Sequence, residues 1–245
     1  MTQPVLRLGS LFTLLIIWQL SVMWFSPQDL PSPTAVMQSL VWHIAQGTLL
    51  NDLWVTVTRV MISFVCALVL GCIVGIMMGA NRKLNLIGDG LLLILLNIPA
   101  LVTIILAYIW FGLVEAAAIL AVVINKFPVV VITMREGARN IDEGLLDVGR
   151  VFRIPKRTLF LQVYLPQLYP YIMTSARNGL SLIWKIVLVV ELLGRSDGIG
   201  FALHSFFQFF DIASILAYTC AFVMVIFVLE AIVFRPLDKV IARGR

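Results

Sequence analysis

Six stretches of about 20 mostly apolar residues divide this chain, near positions 8–26, 54–80, 87–111, 114–134, 168–193 and 212–234. A helix of that length covers the hydrocarbon of a bilayer, where every backbone N–H and C=O must find its partner inside the protein. The runs are continuous rather than alternating, so a transmembrane barrel does not fit. The sequence therefore predicts an all-α fold, a polytopic transmembrane helical bundle of six spans forming a single domain over residues 1–245. With 61% of residues apolar and 13% charged, and a mean hydropathy of +1.01, the chain uses lipid as its solvent.

Basic residues outside these runs set the orientation. Placing the N-terminus in the cytoplasm puts Arg7, the pair Arg82 and Lys83, six basic residues from Arg135 to Arg157 and four from Arg235 to Arg245 on the inner side. The outer segments then hold only Arg195, and 27–53 holds no Lys or Arg. Both termini and the charged segment 135–167 are expected in the cytoplasm. The net charge of +5 reads as a topology signal, which leaves nucleic acid without support as a partner. The opening MTQPVLRLGSLF lacks a small-residue cleavage site downstream and is read as part of a retained helix.

Catalytic chemistry finds no candidates. Cys66, Cys72 and Cys220 lie inside predicted spans without metal-ligand spacing, and His43 and His204 stand too far apart in sequence to form a metal set alone. No nucleophile elbow, phosphate-binding glycine loop or zinc-protease motif is present, so the chain is read as a non-enzyme without cofactors.

Two segments outside the spans carry pattern. After Pro31 and Pro33, Ser32 or Thr34 can cap an amphipathic helix with Val36, Leu40, Val41 and Ile44 on one face, lying at the outer interface. On the inner side, 141–152 predicts a helix bearing Leu145, Val148 and Phe152. A turn at Ile154-Pro155 follows, then a second helix from Lys156 to about Tyr164 with Leu159, Phe160 and Val163, ended by Pro166. Helix, turn and helix with apolar knobs suit a groove in another protein.

This segment resembles the signature of inner-membrane permease subunits of ATP-binding-cassette importers, in which an EAA triplet, a later glycine and a hydrophobic-x-Leu-Pro ending form a coupling helix. The triplet here reads Asp147-Val148-Gly149, Arg153 occupies the glycine position, and the ending is Val163-Tyr164-Leu165-Pro166. Pro155 is expected to supply the break that glycine gives elsewhere. LPSPTAV at 30–36, Arg59-Val60 with Ala67, Gly71 and Gly75, Ile98-Pro99 with Trp110-Phe111-Gly112, and VVELLG with GIG at 189–200 are similar to the branch for sulfonates, taurine, nitrate, bicarbonate and thiamine precursors. The resemblance implies a type I importer permease paired with a second, identical permease subunit. It also implies cytoplasmic ATPase subunits that hold ATP and Mg, and an external substrate-binding protein. Coupling to the ATPase would fall to Leu145, Asp147, Val148, Gly149, Phe152, Arg153, Pro155, Leu159, Leu165 and Pro166. A membrane-embedded scaffold without its own pathway is the alternative that the residues alone leave open.

For the pathway itself, Lys126, Trp184, Lys185 and Glu191 are candidates, because ionisable groups inside spans usually face the bundle interior or water. A positive lining suits an anionic cargo. The competing reading pairs Lys185 with Glu191 and lets Arg177 reach the inner interface. Gly71, Gly75 and Gly79 allow close helix approach, within the chain or between two chains. Pro99 predicts a kink in the third span, and Gly112 and Glu115 in GLVEAA at 112–117 suit a tight hairpin between the third span and the fourth.

Overall fold

Helix is the only regular structure among the described residues of the computed structural model, as hydrocarbon demands of an open chain. Backbone is described for 2–25 and 30–243, and side chains for 13–24 and 30–232. In chain order the helices are α1 (Thr2–Phe25), α2 (Pro33–Ala45), α3 (Leu49–Ala80), α4 (Arg82–Asn97), α5 (Ala100–Phe111) and α6 (Glu115–Arg139). Then come α7 (Glu143–Val151), α8 (Lys156–Leu159), α9 (Leu165–Gly194), α10 (Ile199–Gln208) and α11 (Ile212–Arg243). Arg7, Arg235, Lys239, Arg243 and Arg245, which contribute to the charge asymmetry, lie outside the described side chains.

Among the described residues three helices have the length and apolarity to cross a membrane alone: Leu49–Ala80, Glu115–Arg139 and Ile212–Ile232. The stretch 87–111, expected as one kinked span, is instead two helices, α4 and α5, bent by 97°. Proline pushes its predecessor out of the helical region, and Ile98 accordingly takes ψ 123. Asn97 Nδ2 donates to the Leu93 carbonyl at 2.7 Å and helps close α4. At the other end of α5, Gly112 takes φ 80, a conformation costly for a residue with a Cβ, and makes the expected tight turn into α6.

Two compact units are distinguished, one from 1–55 with 196–235 and the other from 56–195 with 236–245. In the second unit α6 packs against α4, α5 and α9. It also receives the glycine stripe of α3. A Cβ on Gly71 would lie 2.6 Å from Val130, one on Gly75 2.6 Å from Met134 and the Val131 carbonyl, and one on Gly79 2.5 Å from Ala138. The stripe therefore packs within the chain, with no atom to spare. Met78, Leu92 and Val131 form one buried cluster beside it, and Val130, Met134 and Leu168 another.

In the first unit Ser32 is the cap: its Oγ accepts from Ala35 N at 3.2 Å, and Pro33 opens the helix. The buried stripe of α2 is Val36, Leu40 and His43. The expected apolar face is thus corrected, since Val41 and Ile44 are 58% and 47% exposed. Positions 36, 40 and 43 follow one helical row, whereas 41 is turned about 100° from 40. His43 Nε2 meets Ser214 Oγ at 2.8 Å, and its ring packs on Phe206 and Tyr218. Burial lowers the His43 pKa below its ordinary value, opposed by the carboxylates of Asp211 and Asp52.

Candidate functional site

Within the second unit α6 begins and α9 ends at the side away from the 143–164 loop, and four ionisable side chains converge there. Arg59 of α3 donates from Nε and Nη2 to the two carboxylate oxygens of Glu115, at 2.6 and 2.8 Å. Its Nη1 pairs with Glu191 of α9, whose other oxygen accepts from Thr56 Oγ1 at 3.0 Å. Arg195 closes the group, with Nη2 on Glu115 at 3.0 Å and Nη1 on the Leu113 carbonyl at 2.7 Å. The side chains of Arg59 and Glu191 are 1% and 0% exposed, while Glu115 is 47% exposed. Each buried ion is compensated by an opposite charge and hydrogen bonds, the condition under which ions survive inside a protein. Beside it, Tyr108 OH donates to the Val190 carbonyl at 2.9 Å.

The loop between α6 and α9 is the second constellation. Asp142 caps α7, its Oδ1 accepting from Gly144 N at 2.8 Å, and its own N–H donates to Gln167 Oε1 at 2.8 Å. Gly149, third in the triplet, is buried because Leu159 of α8 lies against it, where a Cβ would collide. Leu145, Val148 and Phe152 are 50%, 52% and 74% exposed, and Val151 is 78% exposed. No other part of the described chain covers this apolar stripe.

The turn is made at Arg153, which takes φ 51. Its N–H donates to Arg150 O and that of Ile154 to Gly149 O, at 3.0 and 2.9 Å, the paired bonds of a helix ending that favours glycine at the left-handed position. The expectation that Pro155 supplies the break is corrected: Pro155 opens α8 at φ −54, and the reversal precedes it. The strain makes a prediction. Arg153→Gly should steady the loop by about 1 kcal/mol, slowing amide exchange over 149–154 about fivefold; unchanged exchange would mean that the turn is not strained.

Pro166 does not end the second helix, contrary to expectation. After α8 the chain makes a wide π-helical turn, Phe160–Tyr164, closed by Leu165 N to the Phe160 carbonyl, and runs directly into α9. A wide turn relieves the clash between a proline ring and the carbonyl of the preceding turn. Phe160 and Tyr164 stack across it at 5.5 Å, and burial raises the Tyr164 pKa above its ordinary value.

Comparison with known proteins decides what kind of bundle this is. Residues 67–235 match the family model described as the inner membrane component of binding-protein-dependent transport systems. The chain belongs to this family. It is 32% identical to the bicarbonate transport system permease protein of Synechococcus elongatus, over 83% of this chain and 77% of that one. It is 28% identical to the taurine transport system permease protein of Escherichia coli, over 93% and 86%. The putative aliphatic sulfonates transport permease protein of Bacillus subtilis is 28% identical, over 86% and 78%. This protein is thus a transmembrane permease subunit of an ATP-binding-cassette importer, a multi-pass inner-membrane protein of a binding-protein-dependent transport system.

The permease scatters the four residues singled out for a pathway. Lys126 is 1% exposed and donates from Nζ to the Asn178 carbonyl at 3.2 Å, in a space that Gly179 leaves open. Trp184 is 2% exposed. Lys185 alone of the four is exposed. Glu191 belongs to the charge network, so Arg59, rather than Lys185, is its basic partner there. Sequence reading registered Arg59 only within a motif, Glu115 only as a hairpin residue and Arg195 only as a topology marker. The available signal was an arginine inside an apolar run, which requires a counter-charge. Among the described residues no three His, Cys, Asp or Glu side chains are grouped to hold a metal.

Proposed function

We propose that this permease carries a small oxyanion, delivered by its external binding protein, and that two copies face each other across the pathway. The ATPase subunits, which bind ATP and Mg, dock on the loop that contains α7 and α8. Both termini and that loop face the cytoplasm, in keeping with the distribution of basic residues. The observation that carries the docking assignment is the stripe of Leu145, Val148 and Phe152, exposed on a short helix whose turn and base are fixed by hydrogen bonds. Asp147, Gly149, Arg153, Pro155, Leu159, Leu165 and Pro166 shape and anchor this stripe. Relatives named for aliphatic sulfonates, taurine and bicarbonate support an anionic cargo. Lys185, the exposed one of the four residues singled out for a pathway, is the candidate for meeting it there, while Lys126, Trp184 and Glu191 are buried within the bundle.

Changing Leu145, Val148 and Phe152 together to Asp tests the docking. Uptake by the whole transporter should fall at least about tenfold while ATP hydrolysis ceases to respond to the binding protein, since truncating an interface's central anchors costs about 2 kcal/mol or more. The chain should still insert. Unchanged uptake would remove the assignment.

A further inference from the structure

The charge network has the form of an occupied anion site. The Glu115 carboxylate lies between two guanidinium groups, taking two hydrogen bonds from Arg59 and an ion pair from Arg195. Two planar forks converging on one carboxylate are the arrangement that recognises oxyanions. Of the two carboxylates, only Glu115 is accessible, at 47% against 0% for Glu191. Glu115 is also the first residue of α6, beside the exposed turn of Gly112 to Val114. It can therefore leave at little solvation cost, whereas Glu191 cannot.

With Glu115 in place the two arginines and two glutamates are neutral as a set. When it swings out, the set loses one negative charge, which a monoanion in its place would restore. The amino-terminus of α6, which has no side-chain cap, adds positive potential at the same place. Arg59 stays compensated throughout by Glu191. From these contacts we propose that Glu115 is a built-in surrogate ligand, and that a small oxyanion such as a sulfonate binds Arg59 and Arg195 by displacing it. The inference rests on the anionic-cargo reading for its physiological ligand, though not for the site.

An internal competitor lowers apparent affinity by the fraction of time that it holds the site. Ethanesulfonate is the probe, with chloride at matched ionic strength as control. The full chain in lipid nanodiscs is titrated while its thermal unfolding midpoint is followed. Glu115→Gln should lower the half-saturating ethanesulfonate concentration about tenfold relative to the unmodified chain, and adding Arg195→Gln should abolish the response. A Glu115→Gln chain that responds no more to ethanesulfonate than to chloride, or that keeps its response without Arg195, overturns the proposal. Uptake of labelled ethanesulfonate, nitrate and bicarbonate by the complete transporter separates the two readings. Uptake without the Glu115→Gln response rejects the site and keeps the anionic cargo. The response without uptake of any of the three keeps the site and rejects that cargo class.

Discussion

Glu191→Ala is expected to remove about 3 kcal/mol of stability, measured as the shift in denaturant unfolding of the reconstituted chain. Breaking a buried pair costs about 3–5 kcal/mol because the surviving charge has no water to turn to. Arg59, 1% exposed, is that charge, and the Thr56 hydrogen bond to Glu191 goes at the same time. The lower end of the range applies because Glu115 still holds Arg59 through two hydrogen bonds. Glu191→Gln keeps the shape and an acceptor oxygen, so its loss should be smaller, about 1–2 kcal/mol. Adding Arg59→Leu to Glu191→Ala should cost less than the two single losses combined. Additive losses would show that the two groups do not act as a pair.

Gly75→Leu should be at least as damaging. A Cβ there would stand 2.6 Å from the Val131 carbonyl and from Met134 Cβ, and 3.2 Å from Arg135 N. Two of these atoms are backbone, so no rotamer change clears them. Helices α3 and α6 must separate, and the contacts of Gly71 and Gly79 open with them. Overpacking alone costs about 1–3 kcal/mol, and loss of the close approach adds to it, for a total of about 3 kcal/mol or more. Gly90→Ala is the control, because nothing lies within 4 Å of its added Cβ. That change should be neutral or stabilising by up to about 1 kcal/mol, as for glycine in a helix interior. Equal losses from Gly75→Leu and Gly90→Ala would contradict the packing of α3 on α6.

Features that depend on near neighbours were legible in the sequence. Ser32 caps α2, Asp142-Glu143 begins a helix that reaches Val151, and Gly112 turns the chain between two apolar helices, all within a few residues of their causes. The family signature was legible too, because it is written in order and spacing. The angle at Pro99 was not: proline requires a break, but a 97° bend depends on where α4 and α5 each find α6 to pack on. Nor was the conformation of Arg153, since no local rule favours arginine at a positive φ. The bonds to Arg150 and Gly149 impose it. Arg59 shows the limit most plainly. Its partners lie 56 and 132 positions away, and hydropathy says that it needs an anion without saying which.

The π-helical turn at Phe160–Tyr164 makes α8 the base of a long lever. From Lys156 to Gly194 the backbone is helical without interruption, roughly 55 Å at the usual rise per residue. The Leu159 end rests on Gly149, and Glu191 sits close to the other end. The wide turn holds one residue more than an ordinary turn, and each helical residue rotates the chain about 100°. That extra residue is a phase adjuster: it sets the compass bearing at which the lever meets α7 independently of the bearing at which its far end meets Arg59. A change confined to the loop could thus re-aim one end of the lever without disturbing the charges at the other.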